Sequence, residues 1–143
     1  MLPISERLNR ISPSATLALN AKAQELRAEG REVVSLAVGE PDFLPPDYVI
    51  EAGRRALAEG KTRYTPVPGI PELRAAIAAD YYGRIHGVQA EADNVIVSNG
   101  GKHALYNLMM ALVDPGDEVL LPAPYWVSCP AMIDLAGGVI RYV

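Results

Sequence analysis

The sequence predicts an α/β fold: an N-terminal helical and loop segment, then the first β-α-β-α-β part of a mostly parallel sheet. Three observations carry this. From about residue 94, short continuous apolar runs, Val95-Ile96-Val97, Val119-Leu120-Leu121 and Val139-Ile140, alternate with helical stretches, as strands buried on both faces of a parallel sheet do. Before that point the apolar residues recur at helical spacing between loops rich in proline and glycine. The last strand runs to Val143 with no helix after it, although a parallel sheet needs both faces covered. The expectation is therefore a chain truncated within a larger α/β domain.

Each element has its own signals. Ser14 caps a helix over about residues 15 to 29, with Leu19, Ala23 and Leu26 on one face and Gly30 as its stop. Val33 to Ala37 reads as a short strand. Residues 39 to 46, Gly-Glu-Pro-Asp-Phe-Leu-Pro-Pro, contain three prolines and one glycine and so form a loop. A second helix starts near Asp47, whose charge suits the positive helix N-terminus, turns Val49, Ala52 and Ala56 inward and ends at Gly60. After an irregular piece from Tyr64 to Ile70, Pro71 opens a third helix with Leu73, Ile77 and Tyr81 on one face. Gly83 costs that helix about 1 kcal/mol relative to alanine, so fraying is expected before Gly87.

The strand at 95 to 97 leads to a helix over about 101 to 113, and Asp114-Pro-Gly-Asp117 supplies the turn into the strand at 119 to 121. A Pro122-Ala-Pro-Tyr-Trp126 loop follows, and a helix is expected over about 124 to 136, before the strand at 139 to 140. No internal repeat, low-complexity tract or interdomain linker interrupts the chain.

Composition narrows the function classes. With 143 residues, half of them hydrophobic, the chain is long enough for one globular core. The net charge of -4 and the scattered basic residues argue against a nucleic-acid partner. The N-terminus lacks the basic segment and apolar core of a secretory signal, and no apolar run is long enough to span a bilayer, so a cytoplasmic location is expected with no membrane partner. One cysteine, Cys129, excludes an internal disulfide, and with His86 and His103 it makes no familiar zinc cluster.

The segment Ser98-Asn-Gly-Gly-Lys-His, where a predicted strand feeds a helix, is the strongest candidate site. Glycines let backbone N–H groups approach a ligand closely, and a helix N-terminus favours an anion. As a P-loop it fails, because His103 stands where a magnesium-binding hydroxyl is needed and Val95 or Ile96 where the upstream glycine belongs. As a dinucleotide fingerprint it fails as well, since no glycine follows Gly101 until Gly116. Two readings stay open: a tight strand-to-helix turn, or a cradle for a single phosphate monoester built from the N–H groups of Gly100, Gly101 and Lys102.

Topology adds a second clue. Ligands of open parallel sheets sit beyond the carboxyl ends of the strands, where both the Gly100-Gly101-Lys102 turn and the Pro122–Trp126 loop are expected. Trp126, the only tryptophan, is either a core residue or a flat surface for a planar ring. A flat ring bearing one phosphate describes pyridoxal phosphate.

The blocks Leu36-Ala-Val-Gly39-Glu-Pro-Asp-Phe, Lys61-Thr-Arg-Tyr64-Thr-Pro-Val-Pro-Gly-Ile-Pro-Glu-Leu-Arg74, Asn99-Gly-Gly-Lys102 and Pro124-Tyr-Trp-Val-Ser128 resemble successive blocks of the class I aminotransferases, most closely the bacterial aspartate aminotransferase branch. The resemblance covers essentially the whole chain, in order. It implies that residues 1–45 are an N-terminal arm and small-domain segment and that 46–143 begin the large domain that binds pyridoxal 5'-phosphate.

By the same resemblance, Gly100, Gly101 and Lys102 hold the cofactor phosphate and Trp126 stacks on its pyridine ring and borders the substrate. Tyr64 reaches the phosphate of a second subunit's site, which implies a homodimer with shared sites. Gly39 offers its N–H to the substrate α-carboxylate, and the Lys102 ammonium reads the distal carboxylate of a dicarboxylic substrate, an attraction strengthened in a partly dehydrated pocket. The implied reaction exchanges an amino group between an acidic amino acid such as aspartate and a 2-oxo acid.

Two positions depart from the pattern. Cys129 stands where relatives carry tyrosine or histidine near the pyridine nitrogen, and reads as a small buried residue. Ser12 stands where relatives that accept prephenate have a basic residue, which counts against that substrate. The Schiff-base lysine, the acid on the pyridine nitrogen and the carboxylate-binding arginine of the family all lie beyond the matched part. Lys22, Lys61 and Lys102 do not match the motif of that lysine, so no catalytic residue is assigned and the 143-residue chain is expected to be inactive alone. The alternative is a non-catalytic, truncated protein that binds the cofactor or dimerises; a related lyase or synthase on the same cofactor is a third reading.

Overall fold

The computed structural model describes residues 3–143. They divide into two compact units, one holding the chain up to Asp42 together with Leu105–Val143, the other Phe43–Ala104. In chain order the elements are a 3-10 helix Glu6–Arg10, α1 (Ala15–Ala28), α2 (Asp47–Ala58), α3 (Pro71–Ala76) continuing as a π-helix Ile77–Ile85, and a 3-10 turn Ala92–Asn94. Then come α4 (Gly100–Leu112), β1 (Glu118–Leu121), α5 (Ser128–Ala136) and β2 (Val139–Tyr142).

The first unit is built around a β-α-β crossover. β1 and β2 pair in parallel, with Glu118 opposite Val139 and Leu121 opposite Tyr142. Arg141 forms an ion pair with Glu118 across the two strands. Parallel neighbours need a long connection, and α5 provides it, packing on β2 and on the 3-10 helix Glu6–Arg10. Pro130 is accommodated because it falls in the first turn of α5, where no intrahelical bond is lost. Leu121, Met132 and Ile133 form the buried centre, Ile133 being only 1% exposed.

The turns of this unit are made as the sequence predicts. The Asp117 amide donates to the Asp114 carbonyl at 3.1 Å, while the Asp114 amide donates to the Asp117 carboxylate at 2.9 Å. At the end of α5, Gly137 takes a left-handed conformation, φ +89°, and the Gly138 amide closes back on the Ile133 carbonyl at 3.0 Å, a glycine helix stop. Ser14 caps α1 by accepting the Leu17 amide at 3.4 Å, and Gly30 follows the helix at φ +82°.

In the second unit, α2 starts at Asp47 and ends before Gly60, φ +71°. Pro71 is the first residue of α3. Gly83 does not fray the next helix, as the sequence predicts it should. It lies inside the π-helix, whose wider turns carry the chain on to Ile85, and the Gly87 amide then bonds the Gly83 carbonyl at 3.0 Å.

Two predicted strands do not form. Residues 33–37 and 95–97 are irregular, and among the described residues only β1 and β2 make a sheet, so it has two strands where about three are predicted. A strand is defined by its neighbour, and no neighbouring strand pairs with either run; Val34 and Leu36, on successive same-side positions, are 85% and 95% exposed. The buried faces also differ. Ala23 is buried in α1 but Leu19 is exposed. On α2, Ile50 and Ala56 are half-buried while Val49 and Ala52 are exposed, and the inward face after Pro71 is Arg74, Ile77 and Ala78, with Leu73 and Tyr81 outward. The helical region after β1 starts at Ser128 and not near 124, because Pro122 and Pro124 hold the intervening loop out of the helix.

Candidate functional site

The turn singled out by the sequence is the first turn of α4. Gly100 has φ +81°, a conformation that side chains other than glycine rarely adopt, and a Cβ added to either Gly100 or Gly101 would meet nothing within 4 Å. The backbone here is thus open to an incoming group. The first amides of any α-helix lack acceptors within the helix, and their dipoles favour an anion. Gly100 itself turns its amide back to the Ser98 carbonyl at 2.8 Å, so that amide is not offered to a ligand.

Three contacts hold this turn and the segment leading into it. The Asn99 amide donates to Nδ1 of His103 at 3.2 Å, which places the imidazole proton on Nε2. Upstream, Val95 is buried and its carbonyl accepts Nε of Arg74 at 2.9 Å, and the Val97 amide donates to the Pro68 carbonyl at 2.9 Å. The segment 95–97, although not a strand, is therefore fixed at two points.

The other predicted site residues are placed as follows. Gly39 lies in the exposed loop after the Ala37–Val38 bend, with open space where a Cβ would be. Tyr64 is fully exposed on the loop between α2 and α3. Trp126, at the end of the loop that follows β1, is 45% exposed, and its carbonyl accepts the Cys129 amide at 2.9 Å as α5 begins. Gly39 and Trp126 belong to the first unit, Tyr64 and the Gly100-Gly101-Lys102 turn to the second. Because residues 95–97 are not a strand, only the Trp126 loop follows the carboxyl end of one, and the topological premise drawn from sequence holds for that loop alone.

Cys129 is a free, half-buried thiol at the start of α5. The same loop brings Tyr125 against Tyr142 of β2, ring centroids 5.3 Å apart and 29° between planes. The Tyr142 phenol is raised above the usual value, first by its hydrogen bond with Tyr125 and then by desolvation and by the charges of Tyr125 and Asp134. Sequence reasoning assigned no role to Arg74, Gly69 or His103. Arg74 and Gly69 sit in the Tyr64–Arg74 block, where the juxtaposition of a glycine before a proline-started helix and an arginine in its first turn was the available signal.

A parallel strand pair with a helical crossover makes this an α/β chain. Residues 31–143 match the family described as aminotransferase class I and II, and the chain belongs to that family. It is 53% identical over 140 residues to the aspartate/prephenate aminotransferase of Thermus thermophilus, covering 98% of this chain and 36% of that protein. Against the solved structure of the aspartate aminotransferase from Thermus thermophilus with maleate, the TM-score is 0.94 at 52% identity, over 100% of this chain and 37% of that one. An alanine aminotransferase from Pyrococcus furiosus aligns with a TM-score of 0.89 at 34% identity. The chain thus shares the aminotransferase fold and spans about a third of the length of these relatives.

Proposed function

We propose that this chain is part of a cytoplasmic, pyridoxal-phosphate-dependent aminotransferase that exchanges an amino group between an acidic amino acid such as aspartate and a 2-oxo acid. The observation that carries this reading is the identity of about half to proteins named aspartate aminotransferases, sustained across the chain. The residues present fit the cofactor: the glycine turn at α4 is open where a Cβ would stand, as a phosphate cradle needs to be.

In this reading Gly101 and Lys102, with Gly100 supplying the sharp entry, bind the phosphate at the helix N-terminus. Trp126, partly exposed, lays its indole along the cofactor ring. The exposed Tyr64 donates its hydroxyl to the phosphate of a second copy, which makes the functional unit a homodimer. Gly39 presents its amide to the substrate α-carboxylate, and the Lys102 ammonium selects a substrate with a second carboxylate. The cofactor, when bound, supplies the electron sink that stabilises negative charge at the substrate Cα.

In this reading Lys22, Lys61 and Lys102 do not match the family's Schiff-base lysine, and a polypeptide of these 143 residues alone is expected neither to hold the cofactor covalently nor to transaminate. The test has two arms. The full chain, supplied with pyridoxal phosphate, aspartate and 2-oxoglutarate, is expected to form oxaloacetate and glutamate; absence of turnover with any amino donor overturns the aminotransferase reading. The 143-residue polypeptide, treated with pyridoxal phosphate and borohydride and mapped by mass spectrometry, is expected to show no stoichiometric adduct on a single lysine, and such an adduct would overturn its inactivity. Prephenate belongs among the acceptors tested, because similar proteins carry it in their names, while Ser12 predicts that it is a poor one.

A further inference from the structure

We infer that Gly69 and Arg74 are positioning residues for the phosphate-binding turn, an inference that rests on the reading of Gly100-Gly101-Lys102 as that turn. Neither residue belongs to the turn. They act on the segment that delivers it.

Residues 95–98 lead directly into the turn and are irregular among the described residues. An irregular segment ordinarily drifts, and an anion site loses its value when its amides shift by even a fraction of an ångström. Here three specific contacts hold the residues that lead into it. Arg74, in the first turn of α3, is only 14% exposed and donates Nε to the Val95 carbonyl at 2.9 Å. Its Nη2 bonds Asp93 at 2.9 Å, and because that carboxylate is 93% exposed the pair steers the guanidinium more than it stabilises the fold. Two residues further on, the Val97 amide donates to the Pro68 carbonyl at 2.9 Å.

That last bond requires Val97 to press directly on the backbone of the next residue, Gly69. A Cβ on Gly69 would lie 2.7 Å from Val97 Cγ2 and 2.9 Å from Val97 Cβ, and Gly69 has φ +105°. Both the approach and the conformation exclude a side chain. The Asn99 amide, bonded to His103, then passes the fixed position on to the helix. Gly69 and Arg74 thus grip the chain from α3 and its preceding loop, three to five residues ahead of Gly100.

The consequence is specific: weakening either grip should cost the phosphate contact and spare the rest of the cofactor. The measurement is the ratio of affinities for pyridoxal phosphate and pyridoxal in the cofactor-free full chain, determined by absorbance titration, with inorganic phosphate as a competing probe. Wild type is expected to prefer the phosphorylated form strongly. G69A and R74K should each reduce that ratio about tenfold, near 1.4 kcal/mol of phosphate binding, while pyridoxal affinity stays within about twofold and inorganic phosphate competes less well. R74K keeps a cation near Asp93 but removes the planar fork whose separate Nε reaches the Val95 carbonyl, so it decides the matter where G69A does not fold. An unchanged ratio in folded R74K, or equal losses for both ligands, overturns the positioning role. A wild-type chain with no preference for the phosphorylated form overturns the phosphate reading of the turn, and the inference with it.

Discussion

The Asn99 amide donates to Nδ1 of His103 across the start of α4, at 3.2 Å. This is an unusual cap, since the acceptor is an imidazole inside the helix where a hydroxyl or carboxylate at the boundary is the common solution. It holds the backbone of Asn99 just before the left-handed Gly100, and so fixes the angle at which the helix is entered.

Replacing His103 by alanine leaves that amide without its acceptor. A neutral hydrogen bond of this kind contributes about 0.5–1.5 kcal/mol, so H103A should speed exchange of the Asn99 amide by roughly two- to tenfold. H103Q, which offers an amide oxygen, should recover part of the protection. Amide hydrogen exchange resolved at Asn99 checks both, and unchanged protection in H103A would show that the bond does not order the turn.

Gly138 is closed in from three sides. A Cβ there would stand 2.9 Å from Ile133 Cγ2, 2.9 Å from Val113 Cγ1 and 3.4 Å from the Asp117 carbonyl. Ile133 is the most buried side chain of the unit and has little room to yield. G138A should destabilise the protein by about 1–3 kcal/mol, the usual cost of overpacking, seen as a lower urea midpoint at unchanged slope. Adding V113A to G138A should return part of that loss; two independent, additive losses would place the strain elsewhere.

What was legible in the sequence follows the range of the forces involved. Helix ends are written locally, so Ser14, Asp47, Pro71, Gly30 and Gly60 mark their helices to within a residue or two. The Asp114–Asp117 turn is equally local. Strands are not local: Val95-Ile96-Val97 and Val119-Leu120-Leu121 read alike, yet among the described residues only the second is paired. The glycine turn was legible because glycine is required by its geometry. Arg74 and His103 were not, because a carbonyl 21 residues away and an amide four residues back are partners that no periodicity announces.

Lys102 is the residue that should decide substrate preference. In the proposed enzyme its ammonium faces the second carboxylate of aspartate or glutamate, a charge-assisted contact worth about 1.5–3 kcal/mol. K102M in the full chain should therefore lower kcat/KM for aspartate by about ten- to a hundredfold and that for alanine far less. Equal losses for the two donors would assign Lys102 to the cofactor phosphate alone.

Tyr142 supplies a prediction of pH dependence. Its phenol is raised by the hydrogen bond with Tyr125, with desolvation and the nearby charges of Tyr125 and Asp134 acting in the same direction. The native state therefore binds this proton more tightly than the unfolded chain, where a tyrosine titrates near about 10. The resulting stabilisation is fully present below that unfolded value and is lost as pH rises through the higher native one. In Y125F the hydrogen bond is gone while the ring stacking, 5.3 Å between centroids, can persist. Ultraviolet titration should show one phenol ionising earlier in Y125F than in wild type, and the urea midpoint of wild type should fall more steeply than that of the variant as pH rises above the unfolded tyrosine value of about 10. Parallel declines in the two proteins would mean that the Tyr125 bond does not stabilise the protonated Tyr142.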